Sequence, residues 1–305
     1  MSPPALFDHV IITRYSVRMY ADVVLDDDWL AYRWGFFRDA LVASLSRQTV
    51  DDFTWLVFFD AESPDWLRDL VAEACPGLFT PVWHAGSWVH EPIRHAVERV
   101  TSRPYLITTR IDSDDAVSRF FVEDVQARFA EQDSQYVNLM HGVQIDRSTQ
   151  LFHAHFAENG FISYVEKRIV NEPPRTVFWC MAHEESSNFA PVLNVVGPPR
   201  WMQVIHGGNV ANSVRGLRAR AGPIVPDFDV DLPFDAEESA VRFVVAWLLS
   251  AGRLARLWFR HPTFAIVYWR AQLLRLRGTS VVPLHTHRER RSITTLRNLW
   301  RRFRR

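Results

Sequence analysis

Three aspartates fall within four residues, at Asp112, Asp114 and Asp115. They follow the run YLITTRI (Tyr105 to Ile111), whose β-branched and aromatic content predicts a buried strand. Acids at the carboxyl end of such a strand stand where open α/β sheets bind ligands. Like charges this close raise one another's pKa unless a cation or the positive end of a helix offsets them. A divalent metal holding a diphosphate would do so: Mg2+ and Mn2+ take oxygen ligands, often one or two carboxylates, with phosphate oxygens completing the shell. The plainer alternative is that Asp114 or Asp115 caps the next helix and the others are solvated.

Composition narrows the field. The 305 residues carry 35 Lys+Arg and 35 Asp+Glu, a formal net charge of zero, and are 48% hydrophobic, enough to bury a full core. A pI near 7.2 excludes a uniformly basic surface, so no nucleic-acid partner is expected; the one basic patch is C-terminal. Lys167 is the single lysine and no glycine loop precedes it, which excludes a phosphate-binding P-loop. Cys75 and Cys180 are too few and too far apart for a thiolate zinc site or a disulfide framework. A reducing compartment fits, and MSPPALFDHVIITRYS lacks a secretory pattern, so the expectation is a cytoplasmic protein. The longest charge-free apolar stretch near the end, Phe243 to Gly252, is half the ~20 residues of a membrane span, which leaves only peripheral contact.

The elements that must position the acids alternate in kind. Strands are predicted at His9 to Tyr15, Thr54 to Phe59, Phe79 to His84 and Tyr105 to Ile111. Between them, Asp28 to Leu45 has helical apolar spacing behind the solvated cap Asp26-Asp27-Asp28, and Ser63-Pro64-Asp65 reads as an N-cap, a first-turn proline and an acid opening a second helix. A third helix is expected from Ala116 to Phe129, its N-terminus abutting the acids. From Tyr136 to Tyr164 the pattern turns to hairpins, with His141, His153 and His155 on alternating segments as an acceptor-facing cluster or scattered polar surface. Asn171 to Pro233 is irregular and rich in Pro, Gly, Asn and His, as functional loops are. The expected fold is α/β, a mostly parallel sheet with flanking helices over residues 1–235. An amphipathic C-terminal helical appendage follows over 236–277, then a basic tail, 278–305, disordered or amphipathic.

The run Thr108-Thr109-Arg110-Ile111-Asp112-Ser113-Asp114-Asp115-Ala116, with HVIITRYSVR before it and FTWLVFFD between, resembles the putative rhamnosyltransferase family of GT-A-type glycosyltransferases over about residues 9 to 215. The resemblance implies a GT-A-like fold, a nucleotide-sugar donor, bound Mg2+ or Mn2+ and transfer to a saccharide or glycolipid hydroxyl, as in cell-surface polysaccharide synthesis. It implies that Asp112 contacts donor ribose or metal and that Asp114 and Asp115 hold the metal and diphosphate. Asp60 would contact the nucleoside, and Thr13, Arg14 and Arg110 would line the donor pocket. His206, in QVIHGGN, would close over the metal, an imidazole being a competent ligand when its other nitrogen is fixed. Asn209, like Asn212, could bind sugar hydroxyls or cap a turn.

Inverting transfer needs a base near the acceptor hydroxyl, and MAHEESSNF offers Glu184 and Glu185, unless these are the exposed acids of a helix start. Two other readings stay open. A phosphohydrolase could use Asp-x-Asp as nucleophile and acid with Lys167 and Asp227-x-Asp229, although that motif normally ends the first strand of its domain. Alternatively, the fold is a non-catalytic nucleotide-sugar-binding or membrane-docking module. The Trp and Arg stripes of residues 240 to 276 and the basic tail suit either a packed and a solvated face or a helix on anionic lipid at the inner face of the plasma membrane.

Overall fold

A computed structural model describes residues 6–18, 26–206, 214–235 and 238–260, then residues 262, 265, 266, 268, 269, 273, 281 and 282. Its strands are β1 (Phe7–Arg14), β2 (Thr54–Asp60), β3 (Thr80–His84), β4 (Tyr105–Arg110), β5 (Ala116–Val117), β6 (Ser134–Leu139), β7 (His141–Ile145), β8 (Leu151–His155), β9 (Ser163–Lys167), β10 (Val192–Val195), β11 (Trp201–Val204), β12 (Leu217–Ala219) and β13 (Val281–Val282). The helices are α1 (Asp27–Phe36), which runs through a π-helical stretch, Phe37–Val42, into α2 (Ala43–Leu45), then α3 (Asp65–Ala74), α4 (His90–Arg99), α5 (Phe121–Gln126) and α6 (Ala240–Arg260).

The first four strands are the predicted ones. Runs such as TWLVFFD and YLITTR carry no polar-outward alternation because helices or irregular chain cover both faces, and Tyr105–Arg110 is buried throughout. β3, β2, β1 and β4 are parallel neighbours in that order, so the direction of winding reverses between β1 and β4. The sheet continues through β9, antiparallel to β4 and β6, then β6, β10 and β13. A second sheet of five strands, ordered β12-β8-β7-β11-β5, is built around the β7–β8 hairpin that the sequence predicts.

Local chemistry explains the helix starts. Asp26 caps α1, its carboxylate accepting the Trp29 N–H at 2.7 Å. At α3 the sequence reading is one residue off: Pro64 occupies the cap position, and Ser63 turns its hydroxyl to Ser16 at 3.3 Å. The larger correction concerns Ala116 to Phe129. Ala116 and Val117 form β5, paired antiparallel with Met202 and Trp201, and the helix is confined to Phe121–Gln126. Long-range pairing of two buried residues overrides a local periodicity that Val117, Phe121 and Val125 would satisfy in a helix. The acids therefore do not sit at a helix N-terminus, and neither Asp114 nor Asp115 is a helix cap.

Three apolar clusters hold these layers. One joins the sheet face bearing Ile11, Val57 and Ile107 to α1, α3 and α5; a second joins the opposite face to α4 and residues 177–190; the third fills the second sheet. Trp201 links the sheets. Its indole stacks on Phe156 and Phe161 at centroid distances of 5.5 and 5.0 Å, and its Nε1–H donates to the Leu139 carbonyl at 2.8 Å. The indole lies flat on Gly142, where a Cβ would fall 2.0 Å from Trp201 Cδ2. Gly142→Ala must displace the ring, and is expected to cost about 1–3 kcal/mol. A thermal unfolding midpoint equal to wild type would show that the indole moves freely.

Candidate functional site

The carboxyl ends of β1 and β4 meet where the winding reverses, the crevice in which open α/β sheets bind ligands. Arg14, the last residue of β1, reaches Asp112 Oδ1 with Nη2 at 3.0 Å. Arg110, the last residue of β4, lies 3.6 Å from the same oxygen and donates to the Met181 carbonyl at 3.4 Å. Burial alone would raise the Asp112 carboxyl, but the two guanidiniums outweigh it and hold the acid well below the usual carboxylate range. Arg110 is itself buried, which lowers its pKa, while Asp112 pulls it back up.

Asp114 faces the other way. Its Oδ2 lies 2.9 Å from His206 Nε2, both side chains being nearly buried, and Arg33 approaches Oδ1 at 3.3 Å. Consecutive turns of α1 hold this arrangement. Arg33 Nη2 donates to Ser113 Oγ at 2.6 Å, the Tyr32 hydroxyl donates to the His206 carbonyl at 3.0 Å, and Phe36 stacks on the imidazole at 4.3 Å. Asp115 has a different task. Only 4% exposed, it accepts the Val204 N–H on Oδ1 at 2.9 Å and so fastens β11, the strand that delivers His206, to the acid turn. Burial, then the charges of Asp114 and Asp112, push its carboxyl well above the usual range.

The acids expected to act together are thus separated. Asp112 joins Arg14 and Arg110, Asp114 joins His206 and Arg33, and Asp115 is a fastener. Among the described residues no three His, Cys, Asp or Glu side chains converge on one point that could hold a metal. Asp114 Oδ2 and His206 Nε2, hydrogen-bonded to each other at 2.9 Å, are a hard and a borderline donor; Mg2+ commonly takes one or two carboxylates with phosphate oxygens and water completing its shell, and imidazole suits the softer divalent ions. A divalent cation held here would replace the Asp114–His206 hydrogen bond and take those two atoms as ligands; Asp115, engaged with backbone, would not join them.

Two other expectations change. Thr13 is fully buried and accepts the Trp55 Nε1–H at 3.0 Å, so it supports the core beneath the pocket instead of lining it. Asp60, at the end of β2, uses Oδ2 for Arg18 Nε at 2.5 Å and Oδ1 for the Glu62 N–H at 2.9 Å; it organises the turn there. Glu184 and Glu185 are exposed on a 3-10 turn, His183–Asn188, and the Glu184 charge acts on Arg110. Asn209 and Asn212 lie outside the described residues. Lys167 pairs with Tyr105 at the opposite end of β4, about 20 Å along the strand from the acids, which removes the lysine that an Asp-nucleophile phosphohydrolase would need.

Sequence reasoning missed Tyr32, Arg33 and Phe36, which lie off the apolar stripe of Leu30, Trp34, Phe37, Leu41 and Leu45, and also His183. Burial, then the Arg110 charge, lowers the His183 pKa to about 4, against the pull of Glu184 and Asp112. It is therefore a neutral imidazole at the rim of the Arg14–Asp112–Arg110 cluster.

The putative rhamnosyl transferase family model matches residues 16–218. Among solved structures, S. aureus TarS 1-349 in complex with UDP-GlcNAc is 12% identical, with 68% of this chain and 62% of that chain covered and a TM-score of 0.39. A putative nucleotide-diphospho-sugar transferase from Desulfovibrio desulfuricans G20 is 11% identical, with 66% of this chain and 82% of that chain covered and a TM-score of 0.36. HddC from Yersinia pseudotuberculosis complexed with GMP-PN is 13% identical over 65% and 89%, TM-score 0.33. No curated protein matches the chain.

Because His183 is held neutral in the fold but binds a proton near pH 6.5 when unfolded, it favours folding above that pH, and this contribution fades as pH falls from 6.5 towards about 4. His183→Gln should therefore lose less stability than wild type between pH 6.5 and 4 in denaturant titrations. Parallel profiles for the two proteins would mean that the imidazole titrates normally. With its family model spanning about two thirds of the sequence, the chain belongs to the putative rhamnosyl transferase family of glycosyltransferases.

Proposed function

We propose that this protein transfers a sugar, rhamnose by the family's name, from a nucleoside-diphosphate donor to a hydroxyl of a saccharide or glycolipid acceptor. The setting would be cell-surface polysaccharide or glycolipid synthesis on the cytoplasmic side of the membrane. The observation that carries the reading is the double cluster at the switch point: guanidiniums of Arg14 and Arg110 on one side of the acid turn, and the Asp114–His206 pair on the other. Asp114 and His206 would hold Mg2+ or Mn2+, and the bound cation would supply positive charge for the departing nucleoside diphosphate.

The chain's own residues carry the rest. Arg14 and Arg110 supply planar, permanently charged donors suited to diphosphate oxygens, and Asp112 keeps the two forks aimed into the crevice until a donor arrives. Asp60 and Arg18 shape the end of β2 on the nucleoside side. From α1, Tyr32 and Phe36 pack on the imidazole ring of His206, and Arg33 holds the Asp114 carboxylate. Glu184, whose charge acts on Arg110, or its exposed neighbour Glu185 would take the acceptor proton.

Thermal unfolding with a panel of nucleotide sugars, with and without Mn2+, tests this directly. A cognate donor at 100 times its Kd should stabilise the fold by about 2.7 kcal/mol. Asp114→Asn should abolish the Mn2+-dependent part of the shift and reduce transfer by about 10²–10³-fold. Stabilisation by a donor without any turnover would favour a binding module, and no response to any donor would overturn the reading.

A further inference from the structure

The zero net charge conceals a strongly divided chain. Residues 1–239 hold 34 acidic and 20 basic side chains, whereas residues 240–305 hold 15 arginines and a single acid, Glu289. The described start of that basic part is α6, which contains Arg242, Arg253, Arg256 and Arg260 and no carboxylate.

α6 is apolar on two faces. The inner face packs on the second sheet: Leu254 is buried, the Ser250 hydroxyl accepts the Arg218 N–H of β12 at 2.9 Å, and the buried Arg218–Glu238 pair at 2.7 Å pins the approach to the helix. The outer face carries Val241, Val244, Val245, Leu248, Leu249 and Phe259, between 51% and 75% exposed. At 3.6 residues per turn these fall on one side, directly away from Ser250 and Leu254. The same geometry sets the four arginines along one flank of this ridge and Trp247, 40% exposed, along the other. A helix that needed only to cover the second sheet would be polar on its outer side.

We propose that the outer ridge of α6 docks on an anionic lipid surface, lying in the headgroup plane. Charge complementarity selects this occupant. A second copy meeting the same ridge would bring arginine flanks together with no acid on either helix to receive them; Arg242 already faces Asp235 at 3.6 Å, and anionic headgroups supply counter-charge for Arg253, Arg256 and Arg260. The apolar ridge gives the burial, and Trp247 and the arginines suit the interface. No helix among the described residues is long and apolar enough to cross a membrane, so the contact lies on the bilayer. The acidic remainder of the chain would be repelled from the same surface, fixing which side faces the lipid.

The test is flotation of the full chain with vesicles of phosphatidylcholine containing phosphatidylglycerol, against pure phosphatidylcholine. Wild type should float with the anionic vesicles alone, and the double change Val244→Glu with Leu248→Glu should reduce recovery by about tenfold. Both positions are exposed, so the thermal unfolding midpoint should hold; if it falls, Arg256→Glu on the exposed flank replaces the double variant with the same expectation. Wild type remaining at the bottom of the gradient overturns the proposal, as does a ridge variant that floats like wild type, since binding would then reside elsewhere. A wild-type dimer in sedimentation, lost in the ridge variant and indifferent to vesicles, would assign the face to self-association instead. None of these outcomes depends on sugar transfer.

Discussion

Three carboxylates in four residues cannot be left together in a crevice between strands; each must find its own positive partner or give up its charge. The solution here is to pull them apart. Asp112 goes to the guanidiniums that end β1 and β4, Asp114 to an imidazole and a guanidinium from other parts of the chain, and Asp115 to a backbone N–H. That third bond has architectural weight. It ties the acid turn to β11, which also pairs with β5, so the second sheet begins where the first one ends. His206 reaches the site because this strand is anchored two residues before it.

The balance also explains why α1 lies where it does. Phe36 stacks on the imidazole, Tyr32 meets it edge-on and donates to the His206 carbonyl, and Arg33 holds the Asp114 carboxylate and the Ser113 hydroxyl beside it. Immediately afterwards the helix widens into the π-helical stretch Phe37–Val42, in which Phe37, Ala40 and Leu41 are buried. Such widened turns shift the residues before them relative to those after, and they recur near functional sites. Here the shift lets one helix serve both a polar site with its first turns and the apolar core with its last ones. The Ser44 hydroxyl, beyond the widened turn, accepts the Val117 N–H of β5 at 3.3 Å, so the same helix braces the acid turn from both sides.

What was legible in the sequence divides by range of interaction. The four parallel strands were readable because burial on both faces leaves continuous apolar runs, and the acid trio because its crowding is local. Strand β5 was not, being two residues long and defined wholly by a partner some 85 positions away in Trp201 and Met202. The same holds for Arg33, since the apolar stripe beside it gives no hint that one guanidinium is aimed at Ser113 and Asp114. Thr13 illustrates the opposite error. A polar residue at the end of a strand resembles a pocket lining, yet alternation turns it into the core, where the Trp55 indole needs an acceptor. Which polar side chain serves the site and which serves the core is decided by strand parity and partner geometry, neither of which residue type reveals.

Net charge misleads for a related reason. A sum of zero suggests a protein indifferent to charged surfaces, but what a surface feels is distribution over distances of a Debye length, about 8 Å at physiological salt. Between the acidic part of this chain and α6 the sign reverses within a few residues of Glu238, whose own carboxylate is buried against Arg218 and therefore contributes little to the outside. The reversal coincides with the point where the outer face of the chain becomes apolar. Charge and hydrophobicity change together on one helix, and two independent properties switching at the same place is harder to reconcile with incidental surface composition than either would be alone.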